Sequence, residues 1–173
     1  MVKRVVGVAV AAVLGWGVTF YSPVIKPNGT IPKKEVYYAC DGDNVSPPLR
    51  WGDLPKSVKW VSIVVWDPDA PKRGGWYHWI ILNIPAQKGE VPAGAGSPAS
   101  PFFNIGTQWR NDYGEIGYGG PCPPPGPPHH YIFKLYLQTE KVTPPAGATP
   151  LQVEQLLRKG SIGVVTFSAL YGR

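Results

Sequence analysis

Proline and glycine, 21 of each, punctuate this chain from end to end. They are too scattered for a collagen-like repeat, and they separate short runs rich in Val, Ile, Tyr and Trp. Such a chain is expected to fold as strands joined by long, rigid connections. Seven Trp, nine Tyr and five Phe also favour sheet packing. With 173 residues, 43% of them hydrophobic and 16% charged, the length suits one domain whose core is stable without staples.

Period locates the strands. "VKWVSIVVWD" from Val58 and "WYHWIILNIP" from Trp76 are apolar on both sides, as strands at the centre of two packed layers are. Regular alternation in the second puts Trp76, His78, Ile80, Leu82 and Ile84 on one face, with Tyr77, Trp79 and Ile81 on the other. "HHYIFKLYLQ" alternates cleanly, so His129, Tyr131, Phe133, Leu135 and Leu137 share a face opposite His130, Ile132, Lys134 and Tyr136. "VTFYSPVI" is a first strand broken by Pro23, and "IGVVTFSALYG" a last one. Residues 29–55 read as coil with brief extended pieces, because Pro47 and Pro48 exclude a regular central strand. One helix is expected, with Thr149 as N-cap, Pro150 at N1, Val153, Leu156 and Leu157 on its apolar face, and Gly160 as C-cap. Glu154 falls beyond the capping-box place on this reading. Residues 85–128 read mostly as loop, long enough to suggest a lid or wall.

The amino end, "MVKRVVGVAVAAVLGWGVTF", has Lys3 and Arg4 before an apolar run, with small residues at Gly15 and Gly17. Residues 1–17 are therefore read as a hydrophobic leader, either an export signal cleaved after Gly17 or a membrane anchor. An extra strand or helix on a cytoplasmic protein is the alternative. Residues 18–173 are read as the single domain.

The formal charge of +6 favours anionic partners in general. The basic clusters are too short for a nucleic-acid stripe, and a solvated surface is the better account. Cys40 and Cys122 are too few and too far apart for a zinc knuckle or a CxxC redox pair. Two readings stay open for them: buried free thiols, or a disulfide closing a loop of about 80 residues and worth roughly 4 kcal/mol.

Chemistry gathers at three strand ends. Asp67 and Asp69 follow the first of them, His78 stands near the head of the second, and His129 with Tyr131 heads the third. Convergence of these ends would make a small polar pocket suited to an anion, with imidazoles titrating near pH 6.5 and with backbone N–H groups at Gly119 and Gly120 forming an anion nest. In that pocket Asp67 orients a histidine ring or receives an ammonium group. Each residue also has a plainer role: Asp67 and Asp69 as turn caps, His78 as a satisfied core histidine, Tyr131 as sheet packing. The prolines from 123 to 125 read as a rigid pocket wall. Ser46 or Ser62 could be put forward as a nucleophile, but no GxSxG elbow, HExxH or phosphate-binding GxxxxGK loop occurs. His129 and His130 point to opposite faces and cannot both chelate into one pocket, so neither a metal nor a cofactor is expected.

"CDGDNVSPPLRW", "DPDAP", the "HW" after it, "GYGGPCPPPG", "HHY" and a closing helix plus strand together resemble the phosphatidylethanolamine-binding protein family, which includes Raf kinase inhibitor protein and bacterial and archaeal relatives. The resemblance runs from Val18 to Arg173. It implies an all-β fold, a β-sandwich with a large central antiparallel sheet, a smaller second sheet and a C-terminal helix. It also implies a pocket for phosphate, a carboxylate or a phosphoethanolamine head group. Matched motif by motif, Asp67 and Asp69 carry the acids of DPDAP, His78 the histidine that follows, Gly120 and Pro121 the glycine-proline wall, and His129 and Tyr131 the ends of the usual His-Arg-Tyr. His130 departs from that pattern, and the proline loop before His129 is slightly long. The expected function is non-enzymatic binding of a phosphoryl or other small anionic group by a monomer or homodimer. The alternatives are a protein-interaction or peptidase/kinase inhibitor module acting through its loops, and an esterase or other hydrolase.

Overall fold

The computed structural model describes residues 9–11 and 17–173. Among the described residues nine strands and one α-helix follow in order: β1 (Ala9–Ala11), β2 (Val18–Tyr21), β3 (Leu49–Gly52), β4 (Trp60–Asp67), β5 (Trp76–Pro85), β6 (Glu90–Val91), β7 (Thr107–Gln108), β8 (His129–Gln138), α1 (Pro150–Gly160) and β9 (Gly163–Tyr171). All pair antiparallel within two sheets, a larger one in the order β7-β5-β4-β8-β9 and a smaller one in the order β1-β2-β3-β6. This is the β-sandwich expected. The Pro47-Pro48 doublet ends the coil, and β3 starts directly after it.

The inner faces of the sheets meet in one core. Val18, Phe20, Leu49 and Trp51 of the smaller sheet pack with Val61, Ile63, Val65, Phe133, Leu135 and Phe167 of the larger one. Phe133 and Phe167 stack at 4.7 Å, and Phe20 tilts onto Phe167 at 5.2 Å. The outer face of the larger sheet is also apolar, because α1 covers it: Val153 and Leu157 sit on Val64, Tyr77, Ile80, Leu82 and Tyr136. Double-sided burial explains why β4 and β5 read as nearly continuous apolar runs.

Strict alternation along β5 does not hold. Val65 pairs with Trp79 and Trp66 with Tyr77, so His78 is an extra residue in the ladder; a second irregularity falls between the pairs Val61–Ile84 and Ile63–Ile81. Asn83 there takes a positive φ of 58°. Each bulge slips the side-chain pattern by one. As a result Trp79, Ile81 and Ile84 face the inter-sheet core, while Tyr77, Ile80 and Leu82 face α1.

Two details of α1 also differ from expectation. Thr149 is the N-cap, but N3 is Gln152, and it closes a reciprocal capping box with Thr149. Gly160 lies inside the helix, and Ser161 is the C-cap. Glu154 is instead buried, its carboxylate accepting from Lys134 Nζ at 2.8 Å and from the Tyr77 and Tyr136 hydroxyls at 2.6 Å each.

The expectation that residues 1–17 export the chain or hold it to a membrane is overturned. Ala9, Val10 and Ala11 form a strand registered against Phe20, Thr19 and Val18. Among the described residues, no helix is long and apolar enough to cross a membrane. The rest of that expectation, on residues 1–8 and 12–16, lies outside the described residues.

Candidate ligand-binding site

Antiparallel pairing of three neighbouring strands brings their polar ends to one edge of the larger sheet. β4 ends at Asp67, opposite Trp76 at the start of β5, and β8 begins on the other side of β4 with His129. Val61, Ile63 and Val65 face the core, and Asp67 continues their row by period; Tyr131 and His129 continue the row of Leu137, Leu135 and Phe133. The bulge turns His78 toward this group, with its ring edge-on to Tyr131 at 5.2 Å and to Tyr113 at 5.7 Å.

Asp67 is only 3% exposed, and both of its oxygens are engaged. Oδ1 accepts the Asp69 N–H at 2.8 Å, and Oδ2 accepts from His129 Nδ1 at 2.6 Å. That bond leaves His129 Nε2 as the ring's other polar atom. Asp69 makes a parallel pair outside the cavity: its Oδ2 accepts from His130 Nδ1 at 2.6 Å and from the His130 N–H at 2.7 Å. The backbone bond from His130 is the chief cause that holds the Asp69 carboxyl below its ordinary value. His129 and His130 thus serve opposite faces, each with its own aspartate.

His78 is 3% exposed and donates from Nδ1 to the Gly119 carbonyl at 2.7 Å. Burial drives its pKa down to about 4, against the opposing pull of that carbonyl and of Asp67. The ring is therefore neutral near pH 7, and a charge-assisted bond from this histidine, expected from its ordinary titration, is not on offer there. Burial likewise raises the Tyr131 phenol far above its ordinary value, so its hydroxyl remains a donor.

A cavity of about 230 Å³ opens among these groups, lined by Asp67, His78, His129 and Tyr131 and walled by Trp76, Tyr113, Lys72 and the stretch from Cys122 to Pro124. Gly120 and Pro121 do not line it. The Gly120 carbonyl accepts from the Tyr113 hydroxyl at 2.7 Å, and the Pro121 carbonyl accepts from the Tyr37 N–H at 3.0 Å. No anion nest forms, because the Gly119 N–H donates to the His78 carbonyl and the Gly120 N–H to Asn44 Oδ1. A Cβ on Gly120 would lie 2.1 Å from the Glu35 carbonyl oxygen, so glycine is there to let two loops touch. Behind the wall, Cys40 and Cys122 form a disulfide that closes the open alternative.

Three lining groups had no signal in the sequence reading. Tyr113 comes from the long loop and stacks on Tyr37 at 4.0 Å. Lys72 stands at the cavity and pairs with Asp112 at 3.2 Å. Trp76 has a buried indole Nε1–H with no hydrogen-bond partner among the described residues. Ser46 and Ser62, in contrast, are buried away from the cavity, where Ser46 Oγ accepts the Gly96 N–H and Ser62 Oγ donates to Gln138 Oε1. Among the described residues, no group of three His, Cys, Asp or Glu side chains is placed to hold a metal ion.

The sequence profile described as phosphatidylethanolamine-binding protein matches residues 21–172. The chain belongs to the phosphatidylethanolamine-binding protein family. Within it, the chain is 39% identical over 137 residues to the UPF0098 protein YbcL of Escherichia coli, covering 78% of this chain and 75% of that one. It is 41% identical over 147 residues to a UPF0098 protein of Pyrococcus abyssi, covering 83% and 79%. The crystal structure of YbcL, itself described as a member of the mammalian family, superposes with a TM-score of 0.83 at 33% identity over 89% of this chain and 97% of that one. A family homologue from Chlamydia trachomatis superposes with a TM-score of 0.74 at 30% identity, covering 89% of this chain and 96% of that one. The His/Asp/Tyr cluster therefore sits in a family fold, at the carboxyl end of one central strand and the amino ends of its two neighbours.

Proposed function

We propose that this member of the family is a non-enzymatic binding protein whose cavity takes a small phosphoryl or carboxylate anion. His78, His129 and Tyr131 face the ligand, Asp67 lines the same cavity and orients the His129 ring, and Asp69, Gly120 and Pro121 support them from behind. The observation that carries the reading is a cavity of about 230 Å³ at the ends of three central strands, where His129, Tyr131 and Lys72 come together. A concave, mostly apolar site with a few convergent polar groups is the form that small-ligand sites take. Lys72 adds a cation at the same cavity, and its salt bridge to Asp112 is half exposed and exchangeable.

Isothermal titration of the full chain with inorganic phosphate, acetate and O-phosphorylethanolamine tests this reading. Saturable binding is expected, weakened at least tenfold by His129→Ala or Tyr131→Phe while the melting profile stays cooperative. Absence of binding by all three compounds, or affinities unchanged in both variants, overturns it.

A further inference from the structure

The larger sheet carries a second concave surface, along β7 at its edge. β7 pairs with β5 on one side and has no strand partner on the other among the described residues. Three hollows follow the chain along that edge. The first, of about 520 Å³, lies against Lys88, Phe102 and Ile105; the second, of about 730 Å³, against Phe103, Thr107 and Lys141; the third, of about 430 Å³, against Trp109, Arg110 and the start of α1. Ile105 belongs to the first two, and Gln108 and Ile116 to the last two, so the hollows adjoin as one groove. It shares no lining residue with the cavity at Asp67 and His129. Both of its walls are fixed from within. Gln108 turns inward, donating from Nε2 to the Ala95 and Phe103 carbonyls and accepting from the Trp79 Nε1–H at 2.8 Å, which ties β7 to the core. Across the groove, Asn83 Oδ1 accepts the Val142 N–H at 3.0 Å and Asn83 Nδ2 donates to the Val142 carbonyl at 2.8 Å. A surface held in this way spends little on ordering when a partner arrives.

The chemistry of the groove narrows what can occupy it. Phe102 is 47% exposed and Ile116 45%, so the surface offers large apolar anchors to water. Lys88, Arg110 and Lys141 line it, and the one acid that does, Glu90, is paired with Arg50 at 3.5 Å. Lys141 is held with Nζ 4.5 Å from the Trp60 ring centroid, which keeps its ammonium at the far end of the groove. A second copy of this chain would set the same basic groove and a formal charge of +6 against the first. A bilayer asks for apolar side chains that protrude, whereas the largest hollow here is recessed between the β7 stretch and residues 141–144. An extended peptide meets every condition: it can add to a sheet edge, send alternate side chains into the hollows and present acids to the lysines and arginine. We infer that the β7 edge docks an extended segment of another protein in which apolar and acidic side chains alternate. This surface is separate from the anion cavity, and the two can be occupied at once.

The test is a labelled library of peptides of about eight residues, enough for a strand of ordinary length with its flanks. Asp or Glu alternates in them with Leu, Ile, Val or Phe, and a matched library carries Lys or Arg in place of the acids. Fluorescence anisotropy with the full chain is expected to find acidic binders at least tenfold tighter than their basic counterparts. Phe102→Asp and Lys141→Glu, both at exposed positions, should each weaken the best binder at least fivefold. Amide spectra should shift at residues 102–110 and 141–143 when that peptide is added. His129→Ala and saturating phosphate should leave its affinity unaltered, which separates this surface from the anion cavity. The inference is overturned by an acidic library without binders, by basic peptides within twofold of acidic ones, or by shifts confined to the cavity. Two further results overturn it by naming another occupant: attachment to phosphatidylglycerol vesicles, lost in Phe102→Asp, with no peptide bound, and self-association in sedimentation lost in the same variant.

Discussion

The Asp67 carboxylate and the His129 imidazole meet at 2.6 Å from positions 62 residues apart in the chain. Asp67 also anchors the turn that leaves β4, because its other oxygen accepts the Asp69 N–H. One buried side chain thus shapes the loop and aims the ring. Asp67→Ala should leave two donors unpaired, destabilise the fold by about 2–3 kcal/mol and weaken phosphate binding more than tenfold. Asp67→Asn, whose amide oxygen can still accept from Nδ1, should keep most of the stability and lose part of the affinity. Paired denaturation and calorimetry on the two variants check this; equal affinities in wild type and Asp67→Ala would remove His129 orientation from the account.

His78 makes stability depend on mild acid. Its folded pKa of about 4 lies below the ordinary value of 6.5, so between those values the unfolded chain binds a proton that the folded one refuses. The contribution is fully present above pH 6.5 and is lost as pH falls toward 4, reaching about 3 kcal/mol. His78→Gln should flatten the decline between pH 6.5 and 4 in urea titrations. A slope identical to wild type would mean that His78 is not the group responsible.

Glu154 acts lower on the pH scale. Burial would raise its carboxyl, but hydrogen bonds from Lys134, Tyr136 and Tyr77 outweigh that and lower it. Its stabilisation is therefore present above the ordinary value of 4.5 and lost as pH falls through the depressed folded value. Lys134 also lies 4.3 Å from the Trp66 ring centroid. Glu154→Ala should cost about 3–5 kcal/mol, because it strands a buried ammonium. Replacing both partners, Glu154→Leu with Lys134→Met, should recover much of that loss. A double variant as unstable as the single one would show that the pair is valued for its hydrogen bonds to tyrosine rather than for its charge balance.

The Cys40–Cys122 bridge joins positions 82 apart. Restricting so long a loop in the unfolded chain is worth up to about 4–5 kcal/mol. Because Cys122 lines the cavity and Pro123 and Pro124 follow it, reduction should also loosen the wall. Melting with and without dithiothreitol should show a clear drop in midpoint, with a weaker phosphate affinity in the reduced protein at a temperature where it is still folded. Unaltered affinity after reduction would mean that the wall is set by the prolines alone.

Much of this was legible beforehand because β8 alternates without interruption: its period placed His129 and Tyr131 at the end of an inward row and His130 outside it. β5 misled for the opposite reason. A bulge leaves no mark in an apolar run, since the residues on both sides of the slip are hydrophobic, and only Asn83 with its positive φ offered a local hint. The family resemblance makes Gly120 and Pro121 pocket wall, yet their N–H and C=O groups are spent on Asn44, Tyr113 and Tyr37. Such partners lie far away in sequence and have no periodic signature. The sequence shows Trp76 only as an apolar strand residue, and its unsatisfied indole N–H is a property of the packed structure.

The inward rows of β4 and β8 pass without a break from aliphatic and phenylalanine side chains to Tyr131, His129 and Asp67. The cavity is therefore the unfilled last layer of the sandwich, and an anion seated there serves as a removable piece of the protein interior. Occupancy and folding are then coupled in one thermodynamic cycle, and a ligand at 100 times its Kd would add about 2.7 kcal/mol to the resistance of the whole domain to unfolding. A screen that follows only the melting midpoint, with no label and no knowledge of activity, is enough to rank candidate occupants.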